Sequence, residues 1–350
     1  MTGTESIVAE TAARIFADLA DPQAVNSARN DAWKGPVWQA LAESGLTLAW
    51  VPEEHGGAGA ELADGFAILG VAGQYAAAIP LAETLLAGWL LSGAGLSVPA
   101  GMLSVAPARP GDRITLNADG TLSGRARAVP FAGEAGHLAV LAGSTVALVD
   151  ARAGRIADGR TLAGEPSNTV TFDRVSALAA APLPARLDQT ALMLMGGVIR
   201  SVQIAGALAA VLDITVRYAN DRVAFERPIA KFQAVQHNLA RLAGEVSAAM
   251  TAAHSAADAI ASTDKFDDAI FLEATAAKIR AAEAAQEGAA IAHQVHGAIG
   301  FTNEHILHRY TLRMLSWRED FGNESYWAAE LGNMVAARGA DELWPLVAAC

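Results

Sequence analysis

The stretch RVAFERPIAKFQAVQHNLA, residues 222–240, decides how this chain is read. It sets two arginines, two phenylalanines and two glutamines around one proline, in a chain otherwise dominated by alanine and leucine. A plain helix–helix connection needs only a few polar residues. A guanidinium offers a planar, permanently charged fork to anionic oxygens. Phenylalanine covers flat apolar faces, and glutamine amides add directional hydrogen bonds. The list suits a flat, charged ligand. Pro228 fixes the turn from which a helix starts, and a helix N-terminus favours anions.

Outward from this stretch the pattern is helical on both sides. A long helix is predicted from about Gln189 to Tyr218. A second follows Pro228, with Phe232, Val235, Leu239, Leu242, Val246 and Met250 at helical spacing. A third covers roughly residues 267–293, and one or two more follow Thr302. Alanine-rich helices with few internal charges predict a bundle buried on more than one side, over 186–350. Residues 100–185 read differently, as short strands between turn signals. RITLNADGTLSGRA reads as a hairpin turning at 117–120, HLAVLAGSTVALVDA as two strands around Gly143–Ser144, and NTVTFDRV alternates with period two. Residues 1–99 are helical again. Val8, Ala12, Ile15 and Leu19 fall on one predicted face, and further helices are predicted over 36–44, 62–77 and 81–91. Pro52 and the glycines at 56, 57 and 59 mark a tight loop. The predicted fold class is mainly α with an inserted β domain, divided as 1–99, 100–185 and 186–350.

Only 18% of the 350 residues are charged and 52% are hydrophobic, with a mean hydropathy of +0.26. That excess of apolar surface implies a subunit interface. A net charge of −12 argues against nucleic-acid binding, which needs clustered basic surface. The lone cysteine, Cys350, allows no internal disulfide and fits a reducing compartment. MTGTESIVAE is not a basic-then-apolar leader, and LLAGWLLSGAGL, from Leu85, is shorter than the roughly 20 residues of a membrane span. The expectation is a cytoplasmic chain without a span. His293 and His296 stand three apart, but no HExxH or carboxylate pattern completes a metal set. No Gly-x-Ser-x-Gly elbow and no Gly-x-Gly-x-x-Gly after a strand occurs.

Helical, then β, then a helical bundle is an uncommon order. Together with three segments it resembles the acyl-CoA dehydrogenase family. GLTLAWVPEEHGGAGAELADGFAILG is similar to the family's Gly-Leu…Val-Pro-Glu-Glu…Gly-Gly-x-Gly segment. YANDRVAFERPIAKFQAVQHNLA resembles its Tyr-x-x-x-Arg-x-x-Phe-x-x-Pro-Ile-x-x-Phe-Gln-x-x-Gln pattern, and HQVHGAIGFTNEHILHRY its Gln-x-x-Gly-x-x-Gly…Glu segment. The resemblance covers nearly the whole chain. It implies an N-terminal helical domain, a middle β-barrel or sandwich and a C-terminal four-helix bundle. It also implies FAD, an acyl-CoA thioester substrate and an electron-transferring flavoprotein as acceptor. Arg222, Phe225, Phe232, Gln233, Gln236, Gln294, Gly297 and Gly300 would reach an FAD held mostly by a neighbouring subunit. Gly297 and Gly300 would let backbone approach that ligand closely.

The sequence departs from the family where the chemistry sits. The family reaction removes a proton and a hydride from the two carbons beside the thioester, and a placed, partly desolvated carboxylate takes the proton. Counting forward from Gly300-Phe301, the position of that base falls on Phe321, before Gly322. In other members the base stands on the long helix before Arg222, near position 196. Here that is Gly196, and LMLMGGVIRS holds no acid. Glu319 and Asp320 flank the first position but point elsewhere on a helix, about 100° per residue. They would pair with Arg318 or Arg313 or face solvent unless the helix shifts. The catalytic residue is therefore unknown from sequence. SVAPARPGDRITL and GRARAVPFAGEAG also lack the family's recognisable flavin-holding residues. Three readings follow. The chain is the shorter subunit of an α2β2-type heteromer, lending FAD contacts to a longer partner that owns the catalytic Glu. Alternatively it self-associates and uses Asp320 or Glu319 as an atypical base, or it is a binding scaffold without chemistry.

Overall fold

The computed structural model describes residues 6–185, 187–263 and 265–348, so Cys350 lies outside the described residues. The N-terminal section comprises α1 (Ile7–Leu19), α2 (Pro22–Ala28), α3 (Lys34–Glu43), α4 (Leu62–Gln74) and α5 (Leu81–Gly93). α1 buries Ala12 and Phe16, with Ala20 just beyond its end, while Leu19 is exposed. The inward stripe is thus rotated from the predicted one, because Phe16 outweighs Leu19 in the apolar area it buries. α2 is not foreseen by the sequence pattern. Pro22 opens it and the Asp21 carboxylate accepts from the Gln23 and Ala24 amides, a short capped turn with too few residues to show periodicity. The loop after Pro52 turns as expected, with Gly56 and Gly59 at positive φ. α5 is buried nearly all round, which accounts for its apolar run.

The middle section folds into two four-stranded sheets. Its strands are β1 (Leu103–Ala106), β2 (Arg113–Leu116), β3 (Thr121–Pro130), β4 (His137–Ala142), β5 (Thr145–Asp150), β6 (Arg155–Ala157), β7 (Ser167–Ser176) and β8 (Ala179–Pro182). The sheet orders are β1-β4-β5-β8 and β2-β3-β7-β6. Both predicted hairpins form, β2–β3 and β4–β5, and β7 alternates in burial along its first half. Leu122, Ala126, Leu138, Val140, Val149 and Phe172 belong to the apolar cluster between the sheets.

The C-terminal section is α6 (Gln189–Asp221), a small hairpin of β9 (Val223–Ala224) and β10 (Arg227–Pro228), α7 (Gln233–Ala261), α8 (Asp268–His296), α9 (Leu307–Trp317), α10 (Glu324–Arg338) and α11 (Leu343–Ala348). Asp188, Asp267 and Asn323 cap α6, α8 and α10 by accepting from first-turn amides. α6 is the central element. It packs against α4, α5, α7, α8 and α9. By length and composition it is apolar enough to cross a membrane, with a window of mean hydropathy 1.6, yet 83% of that window is buried inside the protein. Its apolarity serves the core.

Candidate functional site

The quoted stretch folds into a preformed projection. α6 ends at Asp221, and Arg222 opens a hairpin in which Ala224 pairs with Arg227 and Val223 with Pro228. The Ile229 amide donates to the Arg222 carbonyl at 2.8 Å, which closes it. Its two turn residues, Phe225 and Glu226, have φ of 51° and 62°, as a two-residue type I′ turn requires. Phe225 is 90% exposed at the tip. Phe232 lies behind it, with ring centroids 6.2 Å apart, and the Arg227 guanidinium sits 4.2 Å over the Phe232 ring. Arg222 is exposed, and its guanidinium has no ion-pair or hydrogen-bond partner among the described residues. Gln233 and Gln236 are exposed at the start of α7; the Gln236 amide donates back to the Ala230 carbonyl at 3.0 Å.

The second predicted segment ends α8. Gln294 and Gly297 are exposed and, with His293, Ala298, Phe301 and Leu315, line an open groove of about 600 Å³. Gly297 has φ 65° and ψ −147°, a conformation open essentially to glycine alone. Gly300 plays a different part from the one expected. It is buried, and a Cβ there would press on His293, His296 and Leu307, so its bareness serves the chain's own packing.

Tyr218 ties the two segments together, a link the sequence does not reveal. It lies one turn before Arg222, stacks on His296 at 4.3 Å and donates its hydroxyl to the His296 carbonyl at 3.2 Å. His296 is buried; its Nδ1 donates to the Ala292 carbonyl and its Nε2 is buried without a partner among the described residues. Burial pushes this imidazole down to about 4. His305 packs edge-on against it at 4.7 Å.

The two sequence positions where a catalytic carboxylate is sought prove to be neighbours in space. A Cβ added at Gly196 would lie within 3.0 Å of three atoms of the Phe321 ring. Phe321 is 2% exposed and has φ 56°. Both positions are thus occupied by one apolar plug that cannot accept a proton. The acids beside it are not free bases either. Asp320 accepts from the Arg200 Nε at 2.9 Å, Arg200 also donates to Glu83 and Gln203, and all four side chains are buried. Neither of the arginines expected to hold Asp320 does so, since Arg318 pairs with Glu324 and Arg313 with Glu165. Glu319 accepts from Asn323. Burial pushes the Glu83 carboxyl above its ordinary range, against the pull of Arg200. Lys278, also buried, donates to the Trp317 and Arg318 carbonyls, and burial pushes its ammonium down to about 7. This cluster escapes the sequence reading. Its signal is one acid in LAETLLAGWLL and one arginine in LMLMGGVIRSVQ, lone charges in apolar helices that have to meet a partner.

The sheets are knitted directly to the C-terminal helices around the same place. The Phe321 amide donates to the Ala108 carbonyl, the Ala163 amide to the Ser316 hydroxyl, and Arg313 to Glu165. Of these, the Ala108 carbonyl belongs to SVAPARPGDRITL, one of the two segments that lack the family's recognisable flavin-holding residues. FAD fits the outward half, with an unpaired guanidinium, exposed amides and an apolar-walled groove. It does not fit the inward half.

A family profile described as "Acyl-CoA dehydrogenase, C-terminal domain" matches residues 189–326, and one described as "Acyl-CoA dehydrogenase, N-terminal domain" matches residues 2–97. The chain is similar to acyl-CoA dehydrogenase IpdE2 of Mycolicibacterium smegmatis, 29% identical over 322 residues, which is 89% of this chain and 93% of the relative. It is 30% identical over 310 residues to IpdE2 of Mycobacterium tuberculosis, covering 87% and 88% of the two chains. Among solved structures it resembles a variant of the Tcur3481–Tcur3483 steroid ACAD, at TM-score 0.81 and 26% identity over 94% of this chain and 97% of the other. It shares its fold with the ChsE4–ChsE5 complex of M. tuberculosis, at TM-score 0.85 and 23% identity over 97% and 99% of the chains.

Proposed function

Because this chain belongs to the acyl-CoA dehydrogenase family of FAD-dependent CH–CH oxidoreductases, we propose that it is the shorter subunit of a heteromeric acyl-CoA dehydrogenase. Its longer partner holds FAD and owns the carboxylate base. This chain contributes Arg222 to the pyrophosphate, Phe225 and Phe232 to apolar faces, and Gln233, Gln236 and Gln294 as amide donors. Gly297 shapes the backbone beside them, and Gly300 packs behind it. When bound, FAD supplies the hydride acceptor for α,β-dehydrogenation of the acyl thioester, with an electron-transferring flavoprotein as the outlet. Relatives whose names carry a steroid ACAD and a two-component complex support a bulky, steroid-derived acyl group and a heteromeric assembly. We also take the domain limits as 1–99, 100–185 and 186–350.

One observation carries this reading: the Phe321 ring seated over Gly196. It occupies both positions at which the base is sought, while the Arg222 guanidinium is without a partner among the described residues and the groove beside Gln294 and Gly297 stays open. The Asp320–Arg200 pair weighs against the homo-oligomer that uses Asp320, because that carboxylate is buried and already engaged by a buried guanidinium instead of facing an open site. The test is to purify the chain alone, measure its native mass and record its flavin absorbance. A colourless protein that turns yellow and active only when made with a longer dehydrogenase chain is the expected result. Arg222→Ala then releases flavin from the complex. A yellow, active homo-oligomer with one FAD per chain overturns the proposal, and absence of flavin in every assembly favours the scaffold.

A further inference from the structure

The hairpin tip contains a residue that phosphate binding does not explain. Glu226 takes φ 62° beside Phe225 at 51°, where glycine or asparagine would sit without strain. Its side chain is exposed and has no hydrogen-bond or ion-pair partner among the described residues. The nearby cations do not engage it: Arg227 is laid over Phe232, and the Arg222 and Lys231 side chains are without partners among the described residues. A carboxylate so placed also opposes the anion that Arg222 would hold. Strained, unpartnered residues next to an exposed aromatic are a mark of a contact made elsewhere.

Building on the heteromeric reading, we propose that Glu226 selects the partner: its carboxylate takes a guanidinium or ammonium group on the longer, flavin-holding subunit. The occupant follows from charge. A second copy of this chain carries the same net charge of −12, so like charges oppose self-pairing. A subunit that displays a cation beside its own flavin pyrophosphate satisfies Arg222 through the phosphate and Glu226 through that cation. Phe225 supplies apolar contact between the two. The charge pair thus reads which chain may share its flavin.

The test titrates the full chain, as wild type, Glu226→Gly, Glu226→Gln and Glu226→Lys, against the FAD-loaded longer subunit isolated from the wild-type complex. Sedimentation reads assembly, flavin absorbance reads retention, and melting of each free chain runs alongside. Glu226→Gly is expected to melt no lower than wild type, since glycine relieves the turn, yet to assemble about ten-fold more weakly. Glu226→Gln should weaken assembly comparably, and Glu226→Lys should weaken it most. Loss of assembly without loss of stability is a result a purely structural turn would not give. Wild-type assembly by Glu226→Gly and Glu226→Lys overturns this inference and leaves the heteromeric reading standing. A wild-type chain that takes up no longer subunit overturns both.

Discussion

Gly196→Ala tests the plug directly, because its effect should change sign with the residue at 321. In the interior of an exposed helix, Gly→Ala stabilises by about 1 kcal/mol through backbone entropy. At this buried position the new methyl would meet three ring atoms of Phe321 within 3.0 Å. The ring cannot retreat easily. Its backbone amide is bonded to Ala108, its carbonyl accepts from the Trp327 indole, and its neighbour Asp320 is tied to Arg200. Overpacking of this kind costs about 1–3 kcal/mol, enough to exceed the propensity gain. Phe321→Ala alone should cost about 3–5 kcal/mol as a cavity, and it keeps the positive φ of the site unchanged. In that background the methyl added at position 196 enters empty space, so Gly196→Ala should stabilise by about 1 kcal/mol. The gain is common to both backgrounds and cancels, so the coupling in the cycle is the overpacking cost itself, about 1–3 kcal/mol. Equilibrium urea unfolding of the four proteins measures it. A Gly196→Ala chain as stable as wild type, or an effect of the same sign in both backgrounds, refutes the packing of Phe321 over Gly196.

Asp320→Asn should destabilise the chain by about 3–5 kcal/mol in the same assay, since it leaves the buried Arg200 with Glu83 as its single acidic partner among the described residues. His296 binds a proton near pH 4 when folded against 6.5 when free, so unfolding takes up protons between these values. Stability should therefore fall as pH drops from about 6.5 to about 4, and His296→Phe should flatten that part of the melting profile. Lys278 is lowered from 10.5 to about 7, so the unfolded chain binds the extra proton between those values. Stability should rise as pH climbs from about 7 towards 10, and Lys278→Met should remove this rise.

The fold is legible where one period dominates. The helices at 189–221, 233–261 and 268–296 and both predicted hairpins follow their apolar spacing or turn residues. Short elements with little periodicity, such as α2 and β6, leave no such trace. Along α1 the spacing points to Leu19 where the fold buries Phe16, since spacing alone does not say which of two registers buries more area. The site is legible in part for a different reason. Arg222, Phe225 and Gln294 announce themselves because their types do not belong in a plain connection. The contact between Tyr218 and His296 does not, because each residue is ordinary on its own helix and their stacking joins elements 78 residues apart. The meeting of Gly196 and Phe321 is hidden in the same way. Counting gives two alternative positions for one missing group, and only the fold brings both to one point.

The charges around that point have a role that an apolar filling would not provide. Hydrophobic side chains of the same volume would be about as stable as a buried ion pair, but they would tolerate sliding. Arg200 fixes three things at once: Glu83 from α5, Gln203 on its own helix, and Asp320 in the turn after α9. Lys278, from α8, holds the last carbonyls of α9. Each bond has one geometry, so the turn carrying Phe321 has one position, set from helices at both ends of the sequence. α6 carries Gly196 and Arg200 in its first half and ends at the hairpin that displays Arg222, Glu226 and Phe225. A closed interior and an open projection are thus two ends of one helix.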